Sequence, residues 1–166
     1  MKTYGREADS GRSRRRVGIA DFAVTGDGAV LTTSGLGSCL GVGLFDESAG
    51  VAGLAHTMLP TAPDDADDIA KFADTGIAAV VDEMRREGGS VDDITAKLAG
   101  GSAMFEFDSQ EQSIGERNVA VGRATLERLG IPVVATDVGG DSGRSLRFRG
   151  DTGVLVVKSA GDERRL

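Results

Sequence analysis

Apolar and polar positions divide the chain into short alternating runs and two longer helical stripes. Residues 1–16 are polar and charged without periodicity, which predicts a disordered basic tail. From Val17 the chain alternates through Ile19, Phe22 and Val24 and stops at Gly26-Asp27-Gly28, a strong turn signal. Ala29 to Thr32 reads as the returning strand and delivers the chain to Thr33. Leu40, Val42 and Leu44 then alternate with small residues as far as Asp46, predicting a strand with glycines on one face. The competing reading opens a helix at Cys39, where the N-terminal dipole would favour a thiolate; Gly41 and Gly43 weigh against it. Asp46 to Gly50 forms a turn, and Val51 to Leu59 reads as the partner strand. A hairpin turning near residues 47–48 would roughly pair Cys39 with His56 on adjacent strands.

Beyond Pro60 the period changes. Thr61 to Asp68 is an acidic loop in which Asp67 or Asp68 is placed to cap a helix. Ile69, Phe72, Ala73, Ile77, Val80 and Met84 recur at spacings of three and four, an amphipathic helix ending at Gly88-Gly89. Thr95 to Ala99 reads as a strand running into Gly100-Gly101, and Phe105 to Ser113 as a polar loop. A second helix carries Val119, Gly122, Leu126 and Leu129 on one face and stops at Gly130; Asn118 sits near its start, where it could cap the helix. Ile131 to Asp137 reads as a strand buried on both faces. Leu146 to Phe148 and Val154 to Val157 form a hairpin around Gly150-Asp-Thr-Gly153. Gly161 to Leu166 reads as a frayed tail. The order predicts an α+β (layered α/β) single domain over residues 17–160, its strands forming a β-sheet sandwich flanked by helices.

Composition narrows the class. Twenty-five glycines against three prolines indicate turns and close backbone approaches, and 4% aromatics leave the core to Val, Leu, Ile and Ala. A net charge of −7 argues against a general nucleic-acid binder; the Arg12-Ser-Arg-Arg-Arg16 cluster reads as a solvated tail. No apolar run approaches the roughly 18 residues of a membrane span, and the run after the arginines is broken at Asp21, too early for a signal segment. Together with a single cysteine, this predicts a cytoplasmic protein without a disulfide. One histidine and one cysteine do not make a zinc site with three protein ligands, and no glycine loop leads into the Lys-Ser/Thr of a phosphate-binding loop. No metal and no cofactor is expected.

The candidate chemistry sits in Thr33-Ser34-Gly35-Leu36-Gly37-Ser38-Cys39 and in His56. A thiol becomes a good nucleophile when a neighbouring imidazole takes its proton, so one Cys and one His suffice for acyl transfer through a thioester. Gly35 and Gly37 permit a tight turn that exposes backbone N–H groups, with Ser38, to a developing oxyanion. The plainer reading makes Cys39 a small core residue and His56 a half-buried hydrogen-bonding one.

Gly35-Leu-Gly-Ser-Cys39, then His56-Thr-Met-Leu-Pro60, Ala96-Lys-Leu-Ala-Gly-Gly-Ser-Ala-Met104, Ile114-Gly-Glu-Arg-Asn118 and Asp137-Val-Gly-Gly140 with Gly143-Arg144 occur in one order. In that order they resemble the CheD family of chemoreceptor glutamine deamidases, with Ser102 a departure from the family's usual run. The resemblance implies a protein-glutamine glutaminase, an amidohydrolase with a cysteine nucleophile. Cys39 would be that nucleophile, His56 its base, and Thr33 the residue orienting the imidazole, and the block ending at Asn118 would lie near the active cleft rather than merely cap its helix. It implies glutamines on methyl-accepting chemotaxis receptors as substrate, and the chemotaxis phosphatase CheC as partner. The rival from another class is a non-catalytic module that binds and stimulates CheC; a cysteine protease would share the dyad but not the resemblance.

Overall fold

The structure, a computed structural model, describes residues 12–103 and 112–166. Met104 and most of the expected loop from Phe105 to Ser113 lie outside the described residues, as do the first eleven residues of the expected tail. The strands are β1 (Arg14–Arg16), β2 (Asp21–Thr25), β3 (Val30–Leu36), β4 (Leu40–Asp46), β5 (Val51–Thr57), β6 (Ile94–Gly100), β7 (Val133–Val138), β8 (Arg144–Arg149), β9 (Leu155–Ser159) and β10 (Asp162–Arg165); the helices are α1 (Ala73–Arg86) and α2 (Ile114–Leu129). Two five-stranded sheets form, in the orders β1-β3-β8-β9-β10 and β2-β5-β4-β6-β7. Neither helix is long and apolar enough to cross a membrane.

Strand alternation explains the layering. In β4, Leu40, Val42 and Leu44 join a cluster with Ile77, Val80, Met84 and Leu126 of the helices. The opposite face of the same strand carries Gly41 and Gly43. There Leu146 and Phe148 of the other sheet take up the space side chains would need: a Cβ on Gly41 would stand 2.5 Å from Leu146 Cδ1. The residues between the sheets, among them Leu31, Leu36, Leu54, Phe148 and Val157, form a second core. The expected glycine face is therefore the surface on which one sheet closes over the other. The α+β sandwich expected from the element order is observed, with both helices on one side.

Several boundaries differ from the sequence reading. Arg14–Arg16 is not part of a disordered tail: it pairs in parallel with Val30–Thr32, Arg12 forms an ion pair with Asp151 at 2.8 Å, and Arg15 Nη1 donates to Val24 O. Asp162–Arg165 is likewise a strand, antiparallel to β9, rather than a frayed end. Both are edge strands whose side chains are all exposed. Main-chain hydrogen bonds hold them, so no hydrophobic alternation announces them. The expected strand from Val17 to Val24 is broken: Ala20 adopts a left-handed φ of 59°, and only Asp21–Thr25 pairs with β5. The strand after Ile131 is not buried on both faces. It forms the sheet edge, parallel to β6, with Val134 54% exposed.

Helix α1 begins at Ala73, after a separate 3-10 turn at Ile69–Lys71, and neither Asp67 nor Asp68 caps it. Its first N–H groups go instead to carbonyls: Ala73 N to Leu59 O and Asp74 N to Pro60 O. That satisfies donors a capping side chain would otherwise take. Helix α2 starts as the rules anticipate, with Ser113 and Glu116 in a reciprocal capping box, and ends at Gly130 in the left-handed region.

Gly100 closes β6 at φ 105°, and a Cβ there would collide with the carbonyl oxygen of Cys39. Replacing Gly100 with Ala is expected to cost about 1–3 kcal/mol from backbone strain, read as a lower urea midpoint at unchanged slope. An unchanged midpoint would show that the loop yields without cost.

Candidate functional site

The site forms where β4 begins and β5 ends. Alternation along β5 sends Val51 and Ala55 toward the helices and Ala52 and Leu54 into the space between the sheets. His56 follows the second set and faces β3, where Thr33 Oγ1 lies 2.8 Å from its Nδ1. The Thr33 hydroxyl also lies 2.8 Å from Val17 O. A carbonyl oxygen can only accept, so the single hydroxyl proton goes to Val17. Thr33 must then accept from Nδ1–H, which leaves the lone pair of the neutral ring on Nε2. Nε2 is buried and makes no hydrogen bond among the described residues. Burial pushes the imidazole pKa below its ordinary value, which favours that neutral form.

Cys39 directly precedes β4. Leu40 stands opposite Thr57 and Gly41 opposite His56, so Cys39 is not the direct partner of His56 that a turn at residues 47–48 would make it. It lies two residues beyond Gly41, on the same face and diagonal to the histidine. The side chain is half-buried against the inter-sheet core. Desolvation raises its thiol pKa, and its own backbone N–H pulls in the other direction. No hydrogen bond joins Sγ to Nε2 in this arrangement.

The expected glycine turn divides in two. Gly35 has φ 75° and belongs to a β-bulge, where the pairing of β3 with β8 shifts between Thr33 and Leu36. Gly37, Ser38 and Cys39 form the turn proper, and protein donors hold all three of their carbonyls. Ser102 N donates to Gly37 O at 2.9 Å and Gly101 N to Cys39 O at 2.8 Å; Asn118 Nδ2 donates to Ser38 O at 2.8 Å. The N–H groups of Gly37, Ser38 and Cys39 have no oxygen partner among the described residues.

The sequence left the roles of two residues here open. Asn118 does not cap α2, since Ser113 does; it is fully buried, and its Nδ2 also donates to Met58 O at 3.0 Å. A polar residue at 118, four before Gly122 on the packed face, is the signal that could have marked it. Arg144 is buried as well. It bonds to Asp137 Oδ1 at 3.1 Å, to Gly139 O at 2.9 Å and to Gly100 O at 3.3 Å. It thus ties the Gly139–Gly140 turn to the loop that carries Gly101 and Ser102, and Ala103 N completes the join by donating to Gly140 O at 2.9 Å.

Comparison with known proteins places these features in a family. Residues 58–159 match the family model described as CheD chemotactic sensory transduction. A probable chemoreceptor glutamine deamidase CheD of Haloarcula marismortui is 49% identical over 96% of this chain and 96% of its own. The chemoreceptor glutamine deamidase CheD of Thermotoga maritima is 38% identical, covering 92% of this chain and 96% of its own. Among solved structures, a Neisseria meningitidis protein of the DUF152 family shares the fold at TM-score 0.50 and 14% identity, over 81% of this chain and 65% of that one. With a matching family model and relatives aligned over almost the whole length, the chain belongs to the CheD family.

Proposed function

We propose that this chain hydrolyses glutamine side-chain amides to glutamate on chemotaxis receptors, with Cys39 as nucleophile, His56 as general base and acid, and Thr33 as the residue that holds the imidazole. The observation that carries this reading is the hydrogen-bond chain from His56 Nδ1 through Thr33 to Val17 O. It leaves a basic nitrogen on the sheet face shared with Cys39. The names of the relatives supply the substrate class. A chemoreceptor substrate presented on a helical cytoplasmic bundle would place the protein in the cytoplasm.

The proposed steps are these. In this scheme Sγ meets Nε2, which takes the thiol proton. The thiolate adds to the amide carbon, and the carbonyl electron pair moves to oxygen, facing the N–H groups of the Gly37–Cys39 turn. The imidazolium returns its proton to the departing nitrogen, the C–N bond breaks, and ammonia leaves behind a glutamyl thioester. Water then gives a proton to Nε2 and its oxygen to the acyl carbon; the C–S bond breaks, glutamate forms, and the thiolate recovers the proton. Both burial shifts favour a neutral thiol beside a neutral imidazole at rest, rather than a standing thiolate–imidazolium pair.

Cys39→Ala should abolish deamidation of receptor peptides, followed by the amide-to-acid mass shift; retained activity overturns the assignment. If the same variant still binds CheC, the docking role that the family resemblance implies coexists with catalysis. Thr33→Val keeps the shape but removes the acceptor for Nδ1–H, and should lower kcat/KM by about 10²-fold, the low end of what a general base supplies. An unchanged kcat/KM would free Thr33 from any part in holding the ring.

The pH dependence has a fixed sign. Because burial depresses the His56 pKa, the base stays unprotonated at neutral pH, and the acid limb of kcat/KM should fall below the ordinary histidine value of about 6.5. Because burial raises the Cys39 pKa, alkylation by iodoacetamide should climb only above the ordinary thiol value of about 8.5. An acid limb above 6.5, or rapid alkylation at pH 6, would contradict the resting pair.

A further inference from the structure

The carbonyl of Ser38 and the N–H of Cys39 belong to one peptide unit. Peptide planarity makes the two groups point in opposite directions. Whatever grips the carbonyl therefore aims the N–H. Asn118 Nδ2 grips it, at 2.8 Å, from the first turns of α2. The same nitrogen reaches Met58 O at 3.0 Å, just beyond the end of the strand that carries His56. Both partners are carbonyls and can only accept, so the orientation of the Asn118 amide is settled by chemistry. Its Oδ1 is buried without a partner among the described residues, a cost that packing alone does not explain.

We infer that Asn118 is a positioning residue for the oxyanion donor: by holding the Ser38–Cys39 peptide plane against Met58, it points the Cys39 N–H at the oxygen of the tetrahedral intermediate. The inference rests on the thioester reading above and extends it to a residue outside the Cys–His–Thr set. Asn118 touches neither substrate nor sulfur in this scheme. It acts through a main-chain group, and no substitution at position 39 could remove that N–H while leaving a nucleophile.

The surroundings fit this role. Ser102 N holds the preceding carbonyl, Gly37 O, and so aims the Ser38 N–H in the same way. The N-terminal turn of α2 approaches that loop so closely that a Cβ on Gly115 would overlap Gly101 O and Ser102 O. Helix α2 therefore sets the depth of the loop and of Asn118 together. Its capping box fixes where the helix starts.

The test compares two reactions of the same sulfur. Deamidation builds charge on oxygen; displacement of iodide from iodoacetamide does not. In Asn118→Leu, which keeps bulk on the packed helix face without adding charge, deamidation kcat should fall by about 10²-fold, as for loss of one oxyanion donor. KM and the pH profile of alkylation should match the parent protein. In His56→Gln both reactions should change. A parental kcat in Asn118→Leu overturns the inference, and so does an equal loss in both reactions, which would mark a general disturbance of the fold. If Asn118→Leu does not fold, Asn118→Ala is measured in its place. Independently of any variant, the Asn118 Nδ2 protons of the parent protein should exchange slowly with solvent, and fast exchange refutes the clamp. Should alkylation of Cys39 leave deamidation intact, the thioester reading itself fails, whatever Asn118 does.

Discussion

A neutral imidazole enclosed between two sheets has two nitrogens and only one proton, and the fold must decide which nitrogen keeps it. Here the decision is made by a main-chain carbonyl. Val17 O accepts a hydrogen bond from the Thr33 hydroxyl, Thr33 Oγ1 accepts one from Nδ1–H, and Nε2 is left with the free lone pair. The link spans both sheets: Thr33 lies on β3 and His56 on β5. Glycines at 41 and 43 let the sheets approach, with Leu146 and Phe148 filling the space above them. Packing and chemistry thus depend on the same close approach.

A second framework fixes the turn at the other side of the site. Three separate parts of the chain hold it. The loop after β6 bonds the carbonyls of Gly37 and Cys39, α2 supplies Asn118 to the carbonyl between them, and the buried Arg144 ties the β6 loop to the Gly139–Gly140 turn. The bonds to Gly37 O and Ser38 O leave the N–H groups of Ser38 and Cys39, the next along each peptide, without an oxygen partner among the described residues. Net hydrogen-bond contributions of about 0.5–1.5 kcal/mol apiece are modest for stability. Their larger consequence is orientation, because a held peptide plane needs no reorganisation when charge develops.

Much of this was legible in the sequence, for reasons visible residue by residue. Leu40, Val42 and Leu44 marked a buried strand because the period of two survives even when glycines occupy the alternate sites. Ile77, Val80 and Met84 marked α1 because burial demands a stripe. Arg14–Arg16 and Asp162–Arg165 were misread because exposed edge strands, joined to the sheet by backbone pairing, carry no hydrophobic signature. The start of α1 was placed too early because Leu59 and Pro60 carbonyls, distant in no obvious pattern, replaced a capping side chain. Within the site, the pairing of Thr33 with His56 followed from family resemblance. The register that sets Gly41 opposite His56 is a tertiary fact that local spacing does not encode.

The segment from Val17 to Ala20 passes from one sheet to the other, anchored by Val17 N to Thr32 O at 2.7 Å and by Ala20 N to His56 O at 2.9 Å. The acceptor that ends the hydrogen-bond chain from His56 through Thr33 is therefore a backbone atom in a crossover, not a side chain. Trimming the valine to alanine would leave that oxygen in place, so a survey built on side-chain removal would pass over one of the site's determinants. What governs it is the path of the polypeptide, and insertion or deletion within the crossover is the kind of change to which such a site is vulnerable.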